Sequence, residues 1–80
     1  MPEITLKHPL TVGGKTVDKL TMRRATVKDL RLAGRFGSDD EAKEIALLAT
    51  LTGLVPEDLD GMDLADYKEL QSSFRTLLDG

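Results

Sequence analysis

The stretch Leu10-Thr11-Val12-Gly13-Gly14-Lys15-Thr16-Val17 reads as the tip of a β-hairpin. Two consecutive glycines tolerate the positive φ that a two-residue primed turn requires, and alternating apolar residues flank them. Upstream, Ile4, Leu6, Leu10 and Val12 keep period two across residues 3–12, the pattern of a half-buried strand. Pro9 cannot donate to a ladder, so this strand is an edge or is bulged there. The return strand covers about residues 15–24. A two-residue loop sets Val12 opposite Lys15 and Leu10 opposite Val17, but Leu20 and Met22 then fall on the other parity. A bulge near Asp18-Lys19 is therefore expected. A lone hairpin is unstable in water and must pack on other elements.

Those elements read as helices. Thr26, with Asp29 three residues on, resembles a capping box, with Asp in place of Glu. The spacing predicts a helix over about 27–36, with Val27, Leu30 and Phe36 as its apolar residues and Gly37 ending it. Ser38-Asp39-Asp40-Glu41 places a capping residue and three acids at the positive end of a second helix, about 39–52. Glu44–Thr52 is apolar nearly all round, so this helix is enclosed by its own protein or pressed against another. Gly53 suits its C′ position. Pro56 suits N1 of a helical turn over about 56–60, which Gly61 breaks. Asp63 then caps a last helix, about 64–78, with a stripe of Leu64, Tyr67, Gln71, Phe74 and Leu78. The fold class that follows is α+β, an N-terminal β-hairpin packed on a small bundle of about three helices, within one domain over 1–80.

Composition narrows the function. The 80 residues are 40% hydrophobic and 31% charged, with no cysteine, which excludes disulfides, thiolate metal sites and a cysteine nucleophile. No apolar run approaches the ~18 residues of a membrane span, and Met1-Pro2-Glu3-Ile4 lacks the basic-then-apolar pattern of a secretory signal. The net charge of −3 hides a division. Residues 1–36 hold eight Lys/Arg against three acids, a balance of +5, and residues 37–80 hold three against eleven, a balance of −8. A nucleic-acid surface is one reading of the basic half. Against it, the acidic half repels phosphate, aromatics number only three, and the cations cluster only at Arg23-Arg24. The other reading is a bipolar molecule whose halves attract, within a chain or between copies.

The motifs that suggest chemistry fail on spacing. Gly14-Lys15-Thr16 mimics the end of a phosphate loop, but Pro9 stands where the loop needs its first glycine, and a strand follows instead of a helix. Asp58-x-Asp60-Gly61 mimics a calcium loop, but the alignment puts Pro56 and Tyr67 at its first and last ligand positions. His8, the sole histidine, has no partners for a metal site. No serine sits on a strand-to-helix elbow. Neither an enzyme nor a cofactor is expected.

An apolar surplus is what stands out. Leu47, Leu51 and Leu54 lie on a different side of the second helix from Ile45 and Leu48, and the last helix adds Leu70, Phe74 and Leu77. A thin domain cannot cover both sides of one helix. These six are the expected partner-binding residues, toward a partner helix or a second copy. On that expectation Leu51→Asp turns a homo-oligomer into a helical monomer.

Taken together, several segments resemble the tail assembly chaperone family of Mu-like and P2-like contractile-tailed phages and prophages. They are Leu10–Val17, then Leu20-Thr21-Met22-Arg23-Arg24-Ala25-Thr26-Val27-Lys28-Asp29-Leu30, then Ile45–Leu59, and Leu64-Ala65-Asp66-Tyr67. The similarity spans about residues 4–78. Its most telling parts are Thr26-Val27-Lys28-Asp29-Leu30 and Leu51-Thr52-Gly53-Leu54-Val55-Pro56-Glu57-Asp58-Leu59. Ala25 departs from the pattern where proline is common, and Val55 where a Ser or Thr cap is common. The resemblance implies a non-enzymatic factor in the bacterial host cytoplasm that keeps the tape measure protein, a long apolar-rich helical chain, soluble until tube subunits assemble around it. It implies absence from the finished virion, and in this family a longer frameshifted form often accompanies the short one.

Overall fold

A computed structural model describes residues 3–80. Strands β1 (Glu3–Val12) and β2 (Lys15–Thr21) form an antiparallel hairpin, followed by helices α1 (Val27–Ala33), α2 (Asp40–Thr52), α3 (Pro56–Leu59) and α4 (Leu64–Asp79). The molecule is 18 Å through its thinnest axis, room for two layers of elements, since each is about 10 Å deep. α4 lies along β1, and α2 packs against α1, α3 and α4.

Gly13 and Gly14 turn the hairpin with φ of 57° and 81°, the left-handed values that a primed two-residue turn needs. Leu10 pairs with Val17 and Val12 with Lys15, while Ile4 pairs with Leu20. The register break lies between Thr5 and Leu10, where residues 6–9 face Asp18 alone. The surplus residues thus belong to β1, at Pro9, and not to β2 near Asp18-Lys19 as the parity suggested. The cause is tertiary. The backbone N–H groups of Lys7 and His8 turn from β2 and donate to the two carboxylate oxygens of Asp66 on α4, at 3.0 and 2.9 Å. Asp66 is buried, and a buried carboxylate is tolerated because both oxygens are satisfied.

The same device turns α1. Asp29 is buried. It accepts a two-pronged pair from the Arg23 guanidinium at 2.7 and 2.8 Å and a third bond from the Thr26 N–H at 2.8 Å. With Thr26 Oγ1 accepting from the Asp29 N–H, the capping box closes. Since Asp29 and Ala33 face inward, Val27, Leu30 and Phe36 are left on the exposed side of the segment. The helix also stops at Ala33, short of the expected Phe36, with the chain continuing as turn.

In α2, Asp39 rather than Ser38 is the cap, accepting from the Ala42 N–H at 2.7 Å. Ala46, Leu47, Leu48, Ala49 and Leu51 are all buried, so the helix that is apolar all round is enclosed by its own chain. It ends in a Schellman motif. Gly53 N–H donates to Thr50 C=O at 3.2 Å and Leu54 N–H to Ala49 C=O at 2.8 Å, with Gly53 at φ 77°. Gly53→Ala puts a Cβ on that left-handed residue. It is expected to lower the melting temperature by about 4–8 °C, the equivalent of about 1 kcal/mol in a domain of this size. Thermal unfolding followed by circular dichroism checks this.

Val55 supplies no side-chain cap to α3, which has half a box: the Asp58 carboxylate accepts from the Val55 N–H at 3.1 Å. In α4 the innermost residues are Asp66 and Leu70, and the stripe ends, Leu64 and Leu78, are exposed. The inward seam is therefore rotated from the expected one.

Candidate partner-binding groove

The outward turn of α1 opens an apolar groove between α1, α2 and α4. Val27, Leu30 and Ala33 form one wall, Leu47 the floor, and Phe74 with Leu78 the other wall, around a volume of about 550 Å³. Val27 is 74% exposed, Leu30 63% and Leu78 62%. Each is a common enough surface residue singly, but three on the walls of one groove make a patch of the kind that marks a binding surface. Asp40, Lys43 and Glu44 of α2 line the groove as well, providing polar groups of both signs at its border.

Each wall is held by a contact remote in sequence or by a cap. α1 is clamped by Asp29 to Arg23, and the connection after β2 that carries Arg23 is tied to α2 by Arg23 N–H donating to Leu51 C=O at 3.1 Å. The clamp holds the Asp29 carboxyl well below the ordinary carboxylate range. Arg23's hydrogen bonds are the main cause, the Thr26 N–H adds to them, and desolvation opposes. Asp66 is likewise lowered, first by the Lys7 N–H, with desolvation opposing and the His8 N–H helping.

Of the six expected partner-binding residues, the structure brings Leu47 and Phe74 to this groove. Leu51 and Leu70 lie in the core, with the Leu47 side chain also mostly covered, and Leu54 and Leu77 are half-buried against it. Leu51→Asp therefore places a charge in the core and is a lesion of the fold, not a probe of association. The groove residues that sequence reasoning did not assign to a partner are Val27, Leu30 and Leu78. For Val27 and Leu30 the signal was the Thr26-x-x-Asp29 box with a cation upstream, which turns the acid inward and so the leucine outward.

A second depression, of about 540 Å³, lies between α2, α3 and α4. The N-terminal part of α2 separates the two, since Asp40 and Glu44 line both. Tyr67 stands in its wall, and its hydroxyl is buried with no hydrogen-bond partner among the described residues. Desolvation, then the nearby Glu44 and Glu41, push that hydroxyl up to about 12.

Among the described residues no three His, Asp or Glu side chains are grouped so as to hold a metal ion. His8 Nε2 lies 3.9 Å from Asp63 Oδ2, with both side chains substantially exposed. Among the described residues no helix is long and apolar enough to cross a membrane. What the first groove can do is take up apolar side chains from a partner helix, in the helix-in-groove manner.

A family model described as "Phage tail assembly chaperone proteins, E, or 41 or 14" matches residues 3–79. No curated protein and no solved structure matches the chain.

Proposed function

The chain belongs to the phage tail assembly chaperone family, and from that membership we propose that it binds the tape measure protein and keeps it soluble during tail assembly. The role is non-enzymatic. The client is a long helical chain rich in apolar residues, and the groove between α1, α2 and α4 takes its side chains. The observation that carries this reading is the outward placement of Val27, Leu30 and Leu78 around Leu47 and Phe74. Exposed apolar walls cost solubility, so a fold that holds them in place with a clamped carboxylate has a use for them. The groove is lined by Asp40, Lys43 and Glu44 as well as by apolar residues, which suits a client that must be released when tube subunits arrive, because affinity follows a few anchors and not area.

On this reading the protein works in the bacterial host cytoplasm, self-associates, is absent from the finished virion, and shares its client with any longer frameshifted form of itself.

Co-expression with the tape measure protein of the same gene cluster tests it. The chaperone is expected to raise soluble tape measure protein several-fold and to co-purify with it. Leu30→Asp with Leu78→Asp is expected to cut co-purification at least about tenfold, the loss of about 1.4 kcal/mol or more of binding. Because both residues are exposed, the variant should keep the wild-type circular dichroism. Equal soluble yield with and without the wild-type chain would reject the proposal.

A further inference from the structure

We propose that a second copy of this chain docks the outer face of α1 into the depression between α2, α3 and α4, in a head-to-tail contact held by complementary charge. The depression has an apolar floor of Ile45, Leu59 and Met62. Its mouth carries Asp40, Glu41, Glu44 and Asp60 against the single cation Lys68. The Glu44 carboxylate accepts from Gln71 Nε2 at 3.3 Å. Asp40, Glu41 and Asp60 form no ion pair among the described residues. The buried Tyr67 hydroxyl in its wall has no hydrogen-bond partner among them either.

The complement to this surface is on the same chain. Lys28, Arg31, Leu32 and Arg35 border a shallow depression of their own on α1 and the turn after it. Their spacing of three and four residues puts them on one side of that segment. Lys28, Arg31 and Arg35 likewise have no ion-pair partner among the described residues. Leu32 is a partly exposed apolar knob among three cations, and it fits an apolar floor ringed by carboxylates.

Within one molecule the two surfaces are separate depressions, so the charges are met only between copies. The two patches differ, so the contact is heterologous and leaves a free patch at each end, which builds a ring or an open chain of copies. Exposed ion pairs are individually weak and screened by salt, so the association is reversible. Val27 and Leu30 line the other groove and take no part, so this contact does not depend on the client reading.

Sedimentation equilibrium of the purified chain, with no other protein present, tests it. At about 20 mM salt the average mass should climb above the 8.8 kDa of one chain as concentration rises, and at about 500 mM salt it should return there, because the screening length falls several-fold. Two double variants, each with wild-type circular dichroism, separate the surfaces: Arg31→Glu with Arg35→Glu, and Glu41→Lys with Asp60→Lys. Each alone should stay at the monomer mass, and an equal mixture should associate again, because the intact depression of the first variant then meets the intact α1 patch of the second, and the two reversed patches meet each other. A wild-type chain that is monomeric at low salt and high concentration overturns the proposal. So does an association that persists at high salt, that Leu30→Asp abolishes in place of the charge reversals, or that the mixture fails to restore.

Discussion

Leu48→Ala should be the most destabilising single truncation in the α2 segment. Leu48 is 0% exposed at the centre of a helix enclosed by α1, α3 and α4. Removing three buried carbons costs about 2–5 kcal/mol, the transfer term plus the cavity left behind. A chain of 80 residues has a total stability on the order of 4–12 kcal/mol, so the variant loses a large share of it. The melting temperature should drop by about 8–40 °C, at roughly 4–8 °C for each kcal/mol. Leu48→Met keeps the volume and should cost less than about 1.5 kcal/mol. Leu30→Ala, at a leucine with much of its side chain already in water, should stay within about 0.5 kcal/mol. Urea or thermal unfolding of the three variants reads the contrast. Equal losses at Leu48 and Leu30 would mean that α1 is not turned as described.

Asp66→Asn is expected to lower stability at neutral pH and to flatten the response to acid. The carboxylate accepts from both the Lys7 and His8 N–H groups. An amide of the same shape offers one oxygen and sets an NH₂ against the second donor, leaving a buried N–H unmet. The expected fall in melting temperature at pH 7 is on the order of 5 °C or more. The pH dependence has a definite sign. Asp66 and Asp29 are both held below their ordinary value of 3.8 in the folded chain. The unfolded chain therefore takes up protons first as pH falls. Their contribution is fully present well above pH 4, declines once the unfolded carboxyls titrate near about 3.9, and is lost as the folded carboxyls protonate at lower pH. Wild-type melting temperature should thus decline from pH 5 downward, and Asp66→Asn should decline less steeply. Asp29→Asn should do the same, and the double variant should be flatter than either. A variant slope as steep as that of the wild type would place the acid response elsewhere.

Much of the fold could be read from local chemistry. Gly13-Gly14 between alternating apolar residues is a hairpin wherever it stands, and the turn has the positive φ it requires. Gly53 closes α2 because the left-handed C′ position suits a residue without Cβ. Thr26 and Asp63 cap the helices that follow them. These are interactions within a few residues, so a linear reading captures them. The register break was half legible. Pro9 marked β1 as irregular, while parity pointed to β2, and the partner that decided between them, Asp66, lies 58 residues from His8.

The candidate groove was legible only in part, for the same reason. Leu47 and Phe74 were expected at a partner surface and line the groove, while Leu51 and Leu70 are inside. Val27 and Leu30 look like the buried side of a short amphipathic helix. Hydropathy favours that orientation by default, since a leucine gains from burial and an aspartate loses. The balance reverses where the aspartate finds a guanidinium and an N–H to accept from, as Asp29 does.

Amino-acid order by itself determined the hairpin turn, the caps at Thr26, Gly53 and Asp63, the lack of any thiol chemistry and the likeness to tail assembly chaperones, because each is set by neighbours along the chain or by their order. The tertiary structure alone decided which leucines face water. A buried carboxylate is tolerable only when its donors come to meet it, and for Asp66 those donors are brought from the far end of the chain by folding.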